Sequence, residues 1–236
     1  MIVDCFRRLR KMNKQIKIAI DGPAAAGKST IAKKTAERLG YTYIDTGAMY
    51  RALAHKALTS GIDINNGAIL GETLSNMNLV LVPTENGQVV KVDGVDVTEA
   101  IRSQEVTAAV SQVAAYEQVR TLMVEKQREL AQKAGVVMDG RDIGTHVLPN
   151  AELKIFMTAS VEERAMRRFK ENETRGIHTP LEELEREIQA RDEADMNREV
   201  SPLTQADDAV LLDTTSMTID EVAATIDRLA EERVGR

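Results

Sequence analysis

A chain of 236 residues that is 43% apolar can bury one α/β core with an insertion, and it is too apolar for a disordered protein. A net charge of −6, 3% aromatic residues and no tryptophan exclude a general nucleic-acid binder, which needs a basic surface or stacking aromatics. No apolar run approaches the ~20 residues of a membrane-spanning helix, and the single cysteine, Cys5, excludes an internal disulfide framework and fits a reducing cytoplasm.

Residues 1–11 are basic and precede a second methionine, Met12. They lack the apolar stretch of a signal peptide, so a disordered extension over 1–13 is expected, followed by one domain from 14 to 236. Ile16–Ile20 reads as a buried strand feeding Gly22, Pro23, Ala24, Ala25, Ala26, Gly27, Lys28 and Ser29, a complete G-x-x-x-x-G-K-S phosphate loop. Thr30 opens a helix to Leu39 whose Ile31, Ala32, Thr35, Ala36 and Leu39 share one face. Gly40 ends that helix, and Tyr41–Ile44 supplies a second strand, so the chain starts as a parallel βαβ unit.

A second helix is predicted near 47–60, stopped by Gly61. Between 62 and 98 the short β-prone runs Leu79–Val82, Val89–Val92 and Val95–Val97 are punctuated by Asn86-Gly87 and Asp93-Gly94, dipeptides that favour tight hairpin turns. A small antiparallel insert is expected there. Helical pattern resumes from Glu105 to about Ala134 with a break near Ala115–Tyr116, followed by strands at Val136–Met138 and Leu153–Met157. Ser160 with Glu163, Thr179 with Glu182 (Pro180 in the first helical position) and Thr218 with Glu221 read as capping boxes, and Ala209–Leu212 as the last core strand. The reading is a doubly wound α/β fold: a parallel sheet of about five strands, an inserted β and helical sub-domain, and a helical lid.

The phosphate loop carries the first chemistry. Its glycines let backbone N–H groups turn inward onto a β-phosphate, the helix N-terminus adds its positive dipole, Lys28 reaches the β/γ oxygens and the Ser29 hydroxyl ligates Mg²⁺. Four further clusters fall at the ends of predicted elements. Thr46 is placed to cap the second helix, which carries Arg51 one to two turns on. Asp139-Gly140-Arg141-Asp142 follows a strand, and Asp139 stands where phosphate-loop proteins keep the acidic residue that orients Mg²⁺. Arg191, Asp195 and Arg198 share a helical face, which could be a site or an exposed salt-bridge ladder. The basic run from Arg164 through Arg167 and Arg168 to Arg175 could be a lid or a solvated face. Phosphoryl transfer would need such dispersed cations, since it offers the protein little covalent chemistry. The histidines His55, His146 and His178 show no metal-ligand spacing.

Taken together, residues 18–29, Asp45–Arg51, Ala109–Ala115, Asp139–Thr145 and Arg191–Arg198 resemble the bacterial cytidylate kinases, from about Lys14 to the C-terminal helix. The resemblance implies transfer of the ATP γ-phosphoryl group to CMP or dCMP with Mg²⁺, by a cytoplasmic monomer that needs no membrane or nucleic acid. It implies that Arg51 and Arg141 grip the acceptor phosphate with Thr46 beside it, and that Ser111, Arg120, Asp142 and Arg198 read the cytosine. By the same resemblance Arg191 and Asp195 contact the ribose, and Lys28, Arg141, Arg167 and Arg168 serve catalysis, with Arg167 and Arg168 left undecided as to which turns inward. Residues 62–98 would be the acceptor-binding insert and 161–180 the lid, set in a core of 14–61, 99–160 and 200–236. A kinase of another small acceptor would keep the loop without the cytosine-reading set. A guanine-nucleotide switch would carry an Asn-Lys-x-Asp motif, which the chain lacks.

Overall fold

Strand β1 (Lys17–Asp21) leads through the phosphate loop into α1 (Lys28–Leu39), β2 (Thr42–Asp45) and α2 (Thr46–Thr59). Helix α3 (Gly67–Asn76) precedes an antiparallel ribbon of β3 (Leu79–Thr84), β4 (Gly87–Val92) and β5 (Val95–Asp96). After a short 3-10 turn at Ala100–Arg102 come α4 (Gln104–Val113) and α5 (Glu117–Leu130). Strand β6 (Val136–Gly140) enters a π-helical turn at Ile143–Val147, followed by β7 (Leu153–Thr158), α6 (Val161–Thr174), α7 (Leu181–Asn197), β8 (Val210–Asp213) and α8 (Ile219–Val234). The computed structural model describes residues 15–84, 87–132 and 135–235. The expected extension over 1–13, and Asn86 of the first predicted turn, lie outside the described residues.

The main sheet has the order β2-β6-β1-β7-β8 and is parallel throughout. Strand β1 sits at its centre, with Ile18 beside Val137 on one side and Leu153 on the other. Its side chains alternate between faces. Ile18 and Ile20 join Val137 and Ile155 in a core covered by Ile31 and Ala36 of α1 and by Val222, Ile226 and Ala230 of α8. Ala19 points the other way, into a larger core with Ile44, Met138, Leu53 of α2 and Met123 of α5. That second core continues without interruption into the ribbon through Val90 and Val92 and into α3 through Leu70 and Leu74. Each fully buried aliphatic side chain in these cores contributes about 1.5–3 kcal/mol.

Helix α3 lies close against α5 because Gly67 leaves room for a ring; a Cβ there would sit 2.5 Å from Tyr116. The predicted helix break holds: α4 ends at Val113 and α5 begins at Glu117. Thr218 and Glu221 form a reciprocal capping box, and Ser160 caps α6 by accepting from the Glu163 amide at 3.2 Å. The other half of the Ser160 box is lost to Arg167, which takes the Glu163 carboxylate at 2.9 Å. Two expected caps are corrected. Asp45, not Thr46, caps α2 by accepting from the Ala48 amide at 2.8 Å, while the Thr46 hydroxyl donates to the Asp139 carbonyl at 2.6 Å. Thr179 caps nothing; Pro180 is itself the N-cap residue of α7, with no side-chain cap bond.

Candidate active site

The carboxyl ends of the parallel strands converge on one edge, where open α/β sheets hold their ligands. Strand β1 ends in the phosphate loop, β2 in Asp45 and Thr46, β6 in Asp139–Asp142, and β8 leads into Thr214. A cavity of about 630 Å³ opens along this edge.

At one end lies the loop. Gly22 has φ +147°, and a Cβ there would stand 2.0 Å from the Met157 carbonyl oxygen, so β7 can approach only a glycine. Ala25 holds φ +56°, an unusual conformation for a residue with a Cβ, which persists only because its surroundings fix it. Gly27 is the left-handed N-cap of α1. Lys28 is buried, and its ammonium donates to the Pro23 carbonyl across the loop at 2.6 Å. Burial first, then the Arg141 guanidinium, lowers its pKa well below the lysine range, against the pull of Asp139 and Asp21.

Beside it the Ser29 hydroxyl donates to Asp139 Oδ2 at 2.7 Å, and the Tyr43 hydroxyl to Oδ1 at 3.0 Å. Burial, and next the negative charge of Asp45, raises the Asp139 carboxyl to about 6. This hydroxyl–carboxylate pair is a hard-oxygen donor set of the kind Mg²⁺ takes. Among the described residues no group of three His, Cys, Asp or Glu side chains is placed to hold a metal. An ion here would therefore complete its shell with water and phosphate, as Mg²⁺ does.

The far end is a field of arginines. Arg51 on α2, Arg141 after β6, Arg168 on α6 and Arg191 on α7 line the same cavity. Arg141 Nε donates to Asp195 Oδ2 at 2.8 Å. Burial, the leading influence, would raise Asp195, but Arg141 and then Arg191 and Arg198 hold it below the carboxylate range. Arg191 is held down to about 9, first by burial and then by the Arg141 and Arg51 guanidiniums. Arginine keeps its charge in proteins, so Arg191 stands as a largely desolvated cation beside two others, a setting that favours a bound anion. The buried Arg191 Nε also has no hydrogen-bond partner.

Deeper in, Asp142 is gripped from both sides. Arg120 Nη2 donates to Oδ2, and Arg198 Nη2 lies 3.7 Å from Oδ1. Arg120 is fixed in turn by the Ala114 carbonyl at 3.1 Å and stands 5.5 Å from the centroid of the Tyr50 ring. Ser111 of α4 lines the cavity beside them. The exposed-ladder alternative for Arg191, Asp195 and Arg198 is corrected in one respect: Arg198 Nη1 does lie 3.6 Å from Asp195 Oδ1, but both side chains are largely buried. Arg198 lies just past the end of α7, and all three line the cavity.

Of the expected site residues, Gly22 and Pro23 alone do not line this cavity; they shape the loop beneath it. Arg167 and Arg168, of the expected lid, both do, on different sides. Arg167 faces the loop, donating to the Ala26 carbonyl at 3.4 Å and the Thr214 carbonyl at 2.7 Å. The charge of Arg168 instead acts on Arg51 and Arg191.

Sequence reasoning passed over several participants. Asp21, directly before the motif, is buried and accepts from the Ile143 and Gly144 amides at 2.8 and 2.7 Å. Tyr43 was visible only as a strand residue. The apolar wall beside the loop, formed by Met157, Met217, Ile219 and Val222, could have been sought after the last strand, where the topology brings the chain back to this edge.

Comparison with known proteins fits this geometry. A family model for cytidylate kinase matches residues 18–232. The chain is 58% identical over 223 residues to the cytidylate kinase of Lysinibacillus sphaericus (strain C3-41), covering 94% of this chain and 100% of that one. It is 57% identical over 224 residues to the cytidylate kinase of Geobacillus kaustophilus (strain HTA426), covering 95% and 100%. Among solved structures, an uncharacterized protein from Eubacterium ventriosum ATCC 27560 aligns with a TM-score of 0.51 at 12% identity over 93% of this chain and 99% of that one, a likeness of fold alone.

Proposed function

The chain belongs to the cytidylate kinase family, and from that premise we propose that it transfers the γ-phosphoryl group of ATP to CMP or dCMP, giving ADP and CDP or dCDP. The observation that carries this reading is the pairing, in one cavity, of a phosphate loop with a field of arginines in which the buried Arg191 Nε has no hydrogen-bond partner. ATP lies with its phosphates on residues 22–30 and Lys28 at the β/γ oxygens. Arg51 and Arg141 grip the acceptor phosphate, with Thr46 beside it. Arg191 and Asp195 take the ribose. An oxygen of the acceptor phosphate attacks the γ-phosphorus in line, and the β–γ bridging oxygen leaves with ADP. Charge in that transition state spreads over several oxygens, and Lys28, Arg141, Arg167 and Arg168 are the cations that meet it.

Cytosine offers an exocyclic amine donor where uracil offers an oxygen acceptor. The Asp142 carboxylate, held by Arg120 and Arg198, accepts from that amine and repels the oxygen. Ser111 completes the base edge. Ser29 and Asp139 are the residues that would hold Mg²⁺, which would supply neutralisation of the phosphate charge. In the same reading residues 62–98 form the acceptor insert and 161–180 the lid, and the enzyme works as a cytoplasmic monomer. No helix among the described residues is long and apolar enough to cross a membrane. A coupled assay against a panel of nucleoside monophosphates tests the proposal: CMP and dCMP are phosphorylated. Turnover of UMP with none of CMP overturns it.

A further inference from the structure

One buried ion pair lies outside the substrate contacts yet touches the phosphate loop. Asp192 follows Arg191 directly on α7 and is buried, as is Arg164 near the start of α6. The Ala24 amide of the loop donates to Asp192 Oδ1 at 3.0 Å. Arg164 Nη1 donates both to the Ala24 carbonyl at 3.0 Å and to Asp192 Oδ2 at 2.5 Å, while Arg164 Nε holds the Ala159 carbonyl at 2.9 Å. Both polar groups of Ala24 are thus committed to the two helices above, and its amide is unavailable to a phosphate. The neighbouring Ala25, in its left-handed conformation, packs against the small apolar cluster between those helices, where Ala165 meets Leu184 and Ile188.

The two helices are not a free flap. α7 carries Arg191 and Asp195, and α6 carries Arg167 and Arg168. Any shift of α7 as it takes the acceptor moves Asp192, and Asp192 moves the Ala24 peptide that sets the curl of the loop. We propose that Asp192 and Arg164 are positioning residues that couple the two substrate sites, so that an acceptor held on α7 preorganises the phosphate loop for ATP. This rests on the reading of α7 as the acceptor's ribose contact. Coupling of this kind is reciprocal, and typical cases fall between five- and 150-fold in affinity.

The test is to titrate the full-length protein with a non-hydrolysable ATP analogue and Mg²⁺, with and without saturating CMP, and in parallel with CMP alone. Wild type is expected to bind the analogue at least about fivefold tighter when CMP is present. In D192N, which keeps an oxygen for the Ala24 amide but loses the charge that holds Arg164, the ratio falls towards one while CMP alone binds within about threefold of wild type. Because D192A would strand a buried guanidinium, the second variant is the double R164M/D192L, which removes the pair without leaving a charge behind; it is expected to fold and to show no coupling. A wild-type ratio near one, or an undiminished ratio in folded D192N and the double variant, overturns the relay while leaving the kinase reading intact. Absence of CMP binding to wild type overturns both.

Discussion

Asp21 is a carboxylate that the fold pays to keep. Burial, its largest influence, raises the pKa from 3.8 to about 6, although hydrogen bonds from the Gly144 and Ile143 amides pull the other way. Between about pH 4 and 6 the native chain retains this proton after the unfolded chain has released it. Stability therefore falls as pH rises through that window, and the loss of about 3 kcal/mol is complete by pH 7. The return is geometric. Two oxygens hold the first amides of the π-helical turn that follows Asp142, and so fix where the carboxylate proposed to read the base leaves the strand. Asp21→Asn removes the titration and turns an amide NH₂ towards one of those N–H groups. On acidifying from pH 7 to pH 4, wild type is expected to gain about 2 kcal/mol of unfolding free energy relative to this variant, measured by urea denaturation at each pH. A gap between the two proteins that does not change with pH would refute the assignment.

At the scale of the element, consecutive residues of a helix point about 100° apart, from 3.6 residues per turn, so the neighbouring arginines on α6 enter the cavity from different sides. The helix is rotated by its apolar side, with Ala165 and Phe169 packed towards Leu184 and Ile188. That leaves Arg167 over the loop and Thr214, and Arg168 towards Arg51 and Arg191. Arg167→Ala should lower kcat on the order of 10³-fold, the scale of a transition-state arginine, and raise KM for ATP. Arg168→Ala should raise KM for CMP by roughly tenfold, about 1.4 kcal/mol, with less effect on ATP. Steady-state kinetics varying each substrate would show the split, and the opposite pattern would mean the helix is rotated otherwise when it works. The sequence alone left these two arginines equivalent because the apolar side of α6 fixes its rotation only once the partner helix it packs against is in place. Features closed within a few residues were legible, such as the Thr218–Glu221 capping box and the helix break before Glu117. The cap of α2 was misread because the Thr46 hydroxyl is drawn away by a strand 93 residues on.

For the molecule as a whole, the five-stranded core and the generic half of the site were legible because a phosphate loop must follow a strand and open a helix. The resemblance supplied the acceptor half, and the contacts binding the halves together were invisible, since Ala24 and Asp192 lie 168 residues apart. The packing now ranks the parts by how firmly they are held. The proposed acceptor insert, residues 62–98, shares one continuous core with the sheet, from Ala19 through Met138 to Val92 and Leu74. Helices α6 and α7 bury only Ala165, Leu184 and Ile188 in a core of their own. Local opening free energy follows buried apolar contact, so α6 and α7 should open well below the global unfolding free energy while the insert opens with the sheet. The relay through Arg164 and Asp192 adds a gradient within the pair. The end nearest the loop, around residues 160–165 and 190–194, is pinned by buried hydrogen bonds, and the far end around Gly176 is exposed. Native-state hydrogen exchange is expected to show fastest exchange near the α6–α7 connection, slowing towards the pinned end, with the insert protected like β1. Saturating ATP analogue and CMP together should slow exchange across 161–197 while leaving the insert nearly unchanged. Uniform protection of lid and insert, or an insert that exchanges first, would place the moving part of this kinase elsewhere.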